Sequence, residues 1–137
     1  GKDCPNIPKT DFDSFIPRME QLIQAIEQGE VVACHDISTG GIATAVIEMC
    51  MSGVGANIGL GEDMRADVEL FSESNGRWIV QVANGKEKSF AKRFDYASRI
   101  GEVGNKVAFS KGNDVIAELE IDELRNAWTR PVWDRLA

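Results

Sequence analysis

The 137-residue chain is poor in the side chains that build metal clusters and covalent staples, with one histidine, His35, and three cysteines, Cys4, Cys34 and Cys50. A lone histidine excludes a His-rich metal site. Three thiols cannot all pair with one another, and they show no Cys-x-x-Cys spacing, so the expectation is a reducing compartment with buried or idle thiols. An excess of basic charge is missing too. A formal charge of −7 and a pI near 4.7 argue against nucleic acid, whose binders need a cationic footprint to replace phosphate counterions. The same deficit argues against an anionic membrane surface. No apolar run approaches the roughly 18–20 residues that span a bilayer; the most apolar stretch, 42–51, is broken by Thr44 and Glu48. The chain opens Gly-Lys-Asp-Cys-Pro, without a basic or apolar leader, and its first methionine is Met19. No targeting peptide is visible, and the expectation is a cytoplasmic segment cut from a longer protein.

What is present is 43% hydrophobic and 27% charged residues, the balance of a globular domain with a single core, for which roughly 100–150 residues suffice. Residues 1–11, with Pro5, Asn6, Pro8 and Lys9, read as a linker. A helix follows, capped by Ser14, with Pro17 in its first turn and Gly29 at its end. Met19, Leu22, Ile23 and Ile26 form one apolar stripe on it. Residues 31–34 read as a buried strand, and 42–52 as a helix apolar around most of its circumference. A short strand at 57–60, a weak helix at 63–70, a turn at 72–76 and a strand at 77–82 come next. Asn84 and Glu87 have capping-box spacing before a helix bearing Phe90, Ala91 and Phe94. The end of the chain reads as β: 99–103, a Gly104-Asn105 hairpin turn, 107–110, a turn at Gly112-Asn113, then 115–121 with Val115, Ala117, Leu119 and Ile121 on one face. Asp122 can cap a last helix through Trp128. The expected fold class is α/β (α+β): a mixed β-sheet with packed helices over residues 12–128, followed by a tail at 129–137.

The chemistry concentrates in Cys34-His35-Asp36-Ile37-Ser38-Thr39-Gly40-Gly41, where a strand passes into a helix through two glycines. Backbone N–H groups at such a junction suit a phosphate, which makes Ser38, Gly40 and Gly41 candidate nucleotide-binding residues. Asp36 offers the hard oxygen that Mg²⁺ prefers. The alternative is structural: Ser38 or Thr39 caps the helix, the glycines allow tight packing, and Asp36 is a solvated turn residue. His35 reads as a hydrogen-bonded structural residue, because an adjacent carboxylate does not orient it for general-base work. Glu73 and Arg77 can pair, touch a ligand, or sit in a solvated turn. Trp78, Trp128 and Trp133 are too dispersed for a stacking platform and are expected as core and C-terminal anchors.

Two stretches carry a family resemblance. CHDISTGGIATAVIEMCMSG resembles a His-Asp-x-Ser-(Glu/Asp)-Gly-Gly segment followed by an Ala-rich helix ending in Glu-Met, and LFSESNGRWIVQV resembles a Leu-Phe-Ser-Glu-Ser-x-x-Arg strand entry. In this order, and with IGEV and ELRNAW following, they are similar to the last domain of the phosphoribosylformylglycinamidine synthase family, across roughly residues 12–128. Relatives sharing the first motif more loosely are aminoimidazole ribonucleotide synthetase, selenophosphate synthetase, thiamine monophosphate kinase and a hydrogenase maturation factor.

The resemblance implies an aminoimidazole ribonucleotide synthetase C-terminal-domain-like fold within an ATP-dependent ligase of purine biosynthesis. That enzyme turns formylglycinamide ribonucleotide, ATP and glutamine-derived ammonia into formylglycinamidine ribonucleotide, ADP and phosphate. It further implies Mg²⁺ and ATP as cofactor and substrate, and upstream domains of the same enzyme and a glutaminase subunit or domain as partners. The family's catalytic histidine and main ATP ligands lie upstream, so no residue here inherits a catalytic role. Asp36 and Ser38 match residues that touch Mg²⁺ and an auxiliary ADP in large forms of the synthase; Thr39 stands where the family usually has a carboxylate. The alternatives are the corresponding domain of another ATP-using relative, or a stand-alone binding or scaffold domain.

Overall fold

A computed structural model describes residues 10–130 and Asp134; Cys4, Trp133 and residues 1–9 of the expected linker lie outside the described residues. In chain order the elements are α1 (Phe12–Glu27), β1 (Val31–Asp36), α2 (Gly41–Cys50), β2 (Gly55–Leu60), α3 (Ala66–Phe71), β3 (Trp78–Val82), α4 (Glu87–Arg93), β4 (Gly101–Gly104), β5 (Val107–Lys111), β6 (Asp114–Leu119) and α5 (Ile121–Thr129). β1 and β3 form an antiparallel pair, and the other strands form a mixed sheet in the order β4-β2-β5-β6. The α/β architecture of mixed strands and packed helices is therefore observed, divided between two sheets.

Each sheet has its own core. Leu22, Ala25, Val31, Phe90 and Phe94 bring α1 and α4 onto the β1–β3 ribbon. Ala43, Val46, Cys50, Ile58, Leu60, Leu70, Val107 and Phe109 join α2 and α3 to the mixed sheet. α2 is the shared wall: its partly buried Ile42 and Ile47 pack with Ile79 of β3 around the second cluster. The nearly all-round apolar character read from its sequence follows from that central place.

Several local expectations are corrected. Asp11, not Ser14, caps α1: its carboxylate accepts the Asp13 N–H at 3.2 Å, while the Ser14 hydroxyl donates back to the Asp11 carbonyl. Pro17 lies inside α1 rather than in its first turn. The buried face of α1 is Leu22 and Ala25, whereas Met19, Ile23 and Ile26 are exposed, so the apolar stripe is rotated away from the core. The capping box does not form at α4. Glu87 accepts from the Gly85 N–H instead, and the N-cap residue Lys86 makes no side-chain cap bond.

The largest departure concerns β4 and β5. Their two-residue connection reads as a hairpin turn, yet β2 lies between them, antiparallel to β4 and parallel to β5. Strands with one other strand between them are roughly 9–10 Å apart, which the Asn105–Lys106 connection can just reach in extended form. It does so by crossing the start of β2, where the Ala56 N–H donates to the Lys106 carbonyl at 2.9 Å. A Cβ on Gly55 would meet that carbonyl oxygen at 2.3 Å and the Lys106 nitrogen at 2.5 Å. The absent side chain at Gly55 makes room for the crossing.

β5 and β6 do form the expected hairpin, with Gly112 at φ +56° in its turn. The register shifts there, Phe109 facing Ala117 and Ser110 facing Val115. The extra residue, Ile116, breaks the alternation, and Val115 is 66% exposed while Ala117 and Leu119 pack on the core. Ile121 is buried but opens α5, whose N-cap is Glu120 rather than Asp122. Trp78 is a half-buried partner of Phe15, ring centroids 5.1 Å apart. Trp128 is not an anchor: it is 66% exposed.

Candidate functional site

Strand alternation sorts the residues of β1. Val31 faces the core, while Cys34 and Asp36 point to the exposed side. The β1–β3 ladder continues one step beyond the strand, the Ile37 N–H donating to the Arg77 carbonyl at 2.9 Å. This extension sets segment 37–40 beside the 72–76 turn. The turn's residues and the β1–α2 junction, thirty-odd residues apart in sequence, thus share one place.

Gly40 (φ +80°) and Gly41 (φ +68°) follow each other in left-handed conformation, which side chains strongly disfavour. Gly41 is also pressed against the end of α3, where a Cβ would lie 2.4 Å from the Leu70 carbonyl oxygen and 2.8 Å from Phe71 Cα. Neither Ser38 nor Thr39 caps α2; its N-cap is Gly40, with no side-chain cap bond. The charge complement comes from elsewhere in the chain. The Gly40 N–H donates to Glu73 Oε1 at 2.8 Å, and the Gly41 N–H donates to the Ser38 carbonyl at 3.1 Å.

Arg77 holds the Glu73 turn in shape. Its Nη2 donates to the Ser72 carbonyl at 2.5 Å and to Ser72 Oγ at 3.2 Å, and its Nε donates to the Ser74 carbonyl at 3.2 Å. No Glu73–Arg77 ion pair forms among the described residues. The arginine organises the backbone that carries the glutamate. The sequence singled out both residues without showing their division of labour.

His35 is held from two sides. Its Nε2 lies 3.0 Å from Glu48 Oε2 on α2, and its Nδ1 lies 2.6 Å from the carbonyl oxygen of Asp36. The Asp36 carboxylate is 3.8 Å away, too far to direct the ring. The histidine therefore ties β1 to α2 through Glu48, a partner that periodicity alone did not reveal. Partial desolvation by its neighbours, then the charge of Asp36, raises the thiol of the exposed Cys34 above its ordinary range, and burial raises that of Cys50. Both changes lower the fraction of reactive thiolate at neutral pH.

Asp36 and Ser38 stand exposed on the same short segment, and their oxygens match the donor preference of Mg²⁺. Among the described residues no group of three or more His, Cys, Asp or Glu side chains converges to hold a metal. The backbone donors of the expected phosphate site have acceptors within the chain. Glu73 already serves as the anion at the Gly40 N–H, and Ser38 takes the Gly41 N–H. An open groove of about 570 Å³ lies elsewhere, between β2, the β4–β5 crossing and Glu120.

Solved structures share this architecture, three of them as follows. Phosphoribosylformylglycinamidine synthase II from Thermotoga maritima superimposes with a TM-score of 0.74 at 21% identity, over 87% of this chain and 22% of that one. The PurLQS structure from T. maritima gives 0.76 at 21%, over 88% and 23%. Hydrogenase maturation protein HypE in complex with ATP gives 0.57 at 17%, over 74% and 40%. The chain thus spans less than a quarter of the synthase chains it matches, and identities this low establish the fold alone. In sequence, residues 8–111 match the family described as AIR synthase related protein, C-terminal domain, and the chain belongs to that family.

Proposed function

We propose that this chain serves as the C-terminal domain, over residues 12–128, of an ATP-dependent ligase of the phosphoribosylformylglycinamidine synthase kind, with 1–11 as linker and 129–137 as tail. One observation carries the reading: the Glu73–Gly40 hydrogen bond joins the Ser-Glu-Ser-x-x-Arg turn to the His-Asp-x-Ser segment, so the two stretches that resemble the synthase form one structural unit. The complete cytoplasmic enzyme would consume formylglycinamide ribonucleotide, Mg-ATP and ammonia from a glutaminase subunit or domain. The likeness to the PurLQS structure supports a multi-component setting. The chain's own contribution is a wall. Asp36 is the proposed Mg²⁺ contact and Ser38 the proposed nucleotide contact. Gly40 joins them where Glu73 gives up its N–H, and Gly41 where the Ser38 carbonyl turns away. No catalytic residue is assigned to the chain. The likeness to HypE bound to ATP favours a second reading, the matching domain of another ATP-using relative.

Phosphate release tests the proposal. With formylglycinamide ribonucleotide, Mg-ATP and ammonia the chain alone should give none above blank, and the chain expressed in continuity with its upstream domains should turn over. Steady turnover by the chain alone, or none by the continuous protein, overturns the assignment. In the continuous protein Asp36→Asn should weaken Mg-nucleotide retention by removing a charge-assisted contact. Unchanged nucleotide content, melting point and activity leave Asp36 a solvated residue at the end of β1.

A further inference from the structure

α1 carries an apolar face that stands exposed among the described residues. Phe12, Ile16, Met19, Ile23 and Ile26 are 66%, 47%, 37%, 46% and 45% exposed. Their spacing is 4-3-4-3, the d-a-d-a-d pattern of a coiled-coil seam. At 100° per residue they fall within an arc of about 80°, and they run for about 21 Å along the helix. Such a stripe is narrow and one helix wide, and it matches the ridge of a second helix better than the broad face of a sheet. The buried Leu22 and Ala25 lie to one side of it.

The other side is acidic. Asp13, Glu20 and Glu27 recur every seven residues at the e positions of the same register, and all three are exposed. None makes an ion pair among the described residues. The row discriminates between occupants. A second copy packed antiparallel would set Asp13 against Glu27 and Glu20 against Glu20. A parallel copy would set these carboxylates against the g positions, Phe15 and Leu22, which already face the chain's own core. Both arrangements oppose unfavourable groups, and like charges across such a seam select against pairing.

We propose that the exposed face of α1 is a docking surface for one amphipathic helix of another polypeptide, whose apolar stripe is bordered by Lys or Arg. The seam supplies apolar burial, and the Asp13–Glu20–Glu27 row sets the partner's charge and register. The inference is independent of the nucleotide reading, since it uses no residue of segment 36–41.

The test uses two labelled helical peptides of about 21 residues, three heptads long, with the same Leu/Ile stripe flanked by Lys in one and Glu in the other. Fluorescence anisotropy with the 137-residue chain should show at least tenfold tighter binding of the Lys-flanked peptide, weakening as salt rises. Glu20→Lys with Glu27→Lys should invert the preference, and Ile16→Asn with Ile23→Asn should abolish binding of both peptides. All of these changes lie on exposed positions, and circular dichroism checks that the variants stay folded. Absence of binding, equal binding of the two peptides, or binding that survives the Asn variants overturns the proposal. So does a dimer in sedimentation that the Asn variants dissolve, which would assign the stripe to a second copy.

Discussion

The Glu73 carboxylate sits 2.8 Å from the Gly40 nitrogen, at the N-terminal end of a helix that begins thirty-odd residues earlier in the chain. An internal glutamate here does what a capping side chain does locally, meeting an orphan N–H and the positive end of the helix dipole. It also ties the β3 entry to the α2 entry, and so couples the two sheets.

Removing that carboxylate should therefore cost stability. Glu73→Ala should lose about 1–2 kcal/mol, in the range of a lost N-cap, lowering the melting temperature by about 3–5 °C for each kcal/mol. Glu73→Gln, which keeps an acceptor and loses only charge, should cost less. Arg77→Ala should act through the same turn, so the double variant should cost less than the sum of the single ones. Additive losses in thermal melts would show that the two residues act independently.

Much of the element order was legible because it rests on short-range signals. The apolar circumference of α2, the turn residues at Gly112-Asn113 and the alternation in 77–82 each report on their own neighbourhood. What stayed hidden depends on distant partners. Nothing near Gly104-Asn105 announces that β2 enters between the strands it joins; the only trace is Gly55, fifty residues away. Asp36 and Ser38 were visible as oxygen donors, whereas Glu73 as their neighbour's hydrogen-bond partner, and Glu48 as the partner of His35, required the packing of α2. The stripe on α1 shows the opposite limit. Its periodicity marks an apolar face but not whether that face turns toward the chain's own core.

The thiols should be slow. Both Cys34 and Cys50 are raised above the ordinary thiol range, and Cys50 is buried. At mildly alkaline pH, iodoacetamide should modify Cys34 more slowly than a free cysteine, and Cys50 only on unfolding. The folded state holds these protons more tightly than the unfolded one. Their contribution to stability is thus level below the ordinary thiol pKa and declines as pH rises through the raised values. Rapid labelling of Cys50 in the native protein, followed by peptide mass mapping, would refute its burial.

The core and the surface should respond to aromatic truncation in opposite ways. Phe109 is 2% exposed at the centre of the mixed-sheet cluster, so Phe109→Ala should cost about 3–5 kcal/mol through lost burial and a cavity. Trp128 is 66% exposed, and Trp128→Ala should stay within about 0.5 kcal/mol of the parent. Urea melts with matched slopes decide the comparison; a large loss at Trp128 would place it in an interface that the isolated fold does not make.

The crossing over β2 gives the sharpest test of topology. Gly55 has no left-handed φ among the glycines that carry one, so its requirement is space alone. Gly55→Ala would bring a methyl to 2.3 Å from the Lys106 carbonyl oxygen and 2.6 Å from its carbon, and both are backbone atoms that cannot rotate away. The connection must then lift, breaking the Ala56–Lys106 hydrogen bond and the Gly55–Gly104 end of the β2–β4 pairing. A loss of about 2–3 kcal/mol is expected from overpacking and one backbone bond. Gly85→Ala is the control: its φ is +81° but nothing lies within 4 Å of the added Cβ, so only backbone strain of about 1 kcal/mol is at stake. Hydrogen exchange should localise the Gly55 effect to β2 and β4 and leave β1 and β3 protected. If Gly55→Ala is no worse than Gly85→Ala, the connection does not cross β2 and β4 pairs with β5 as a simple hairpin.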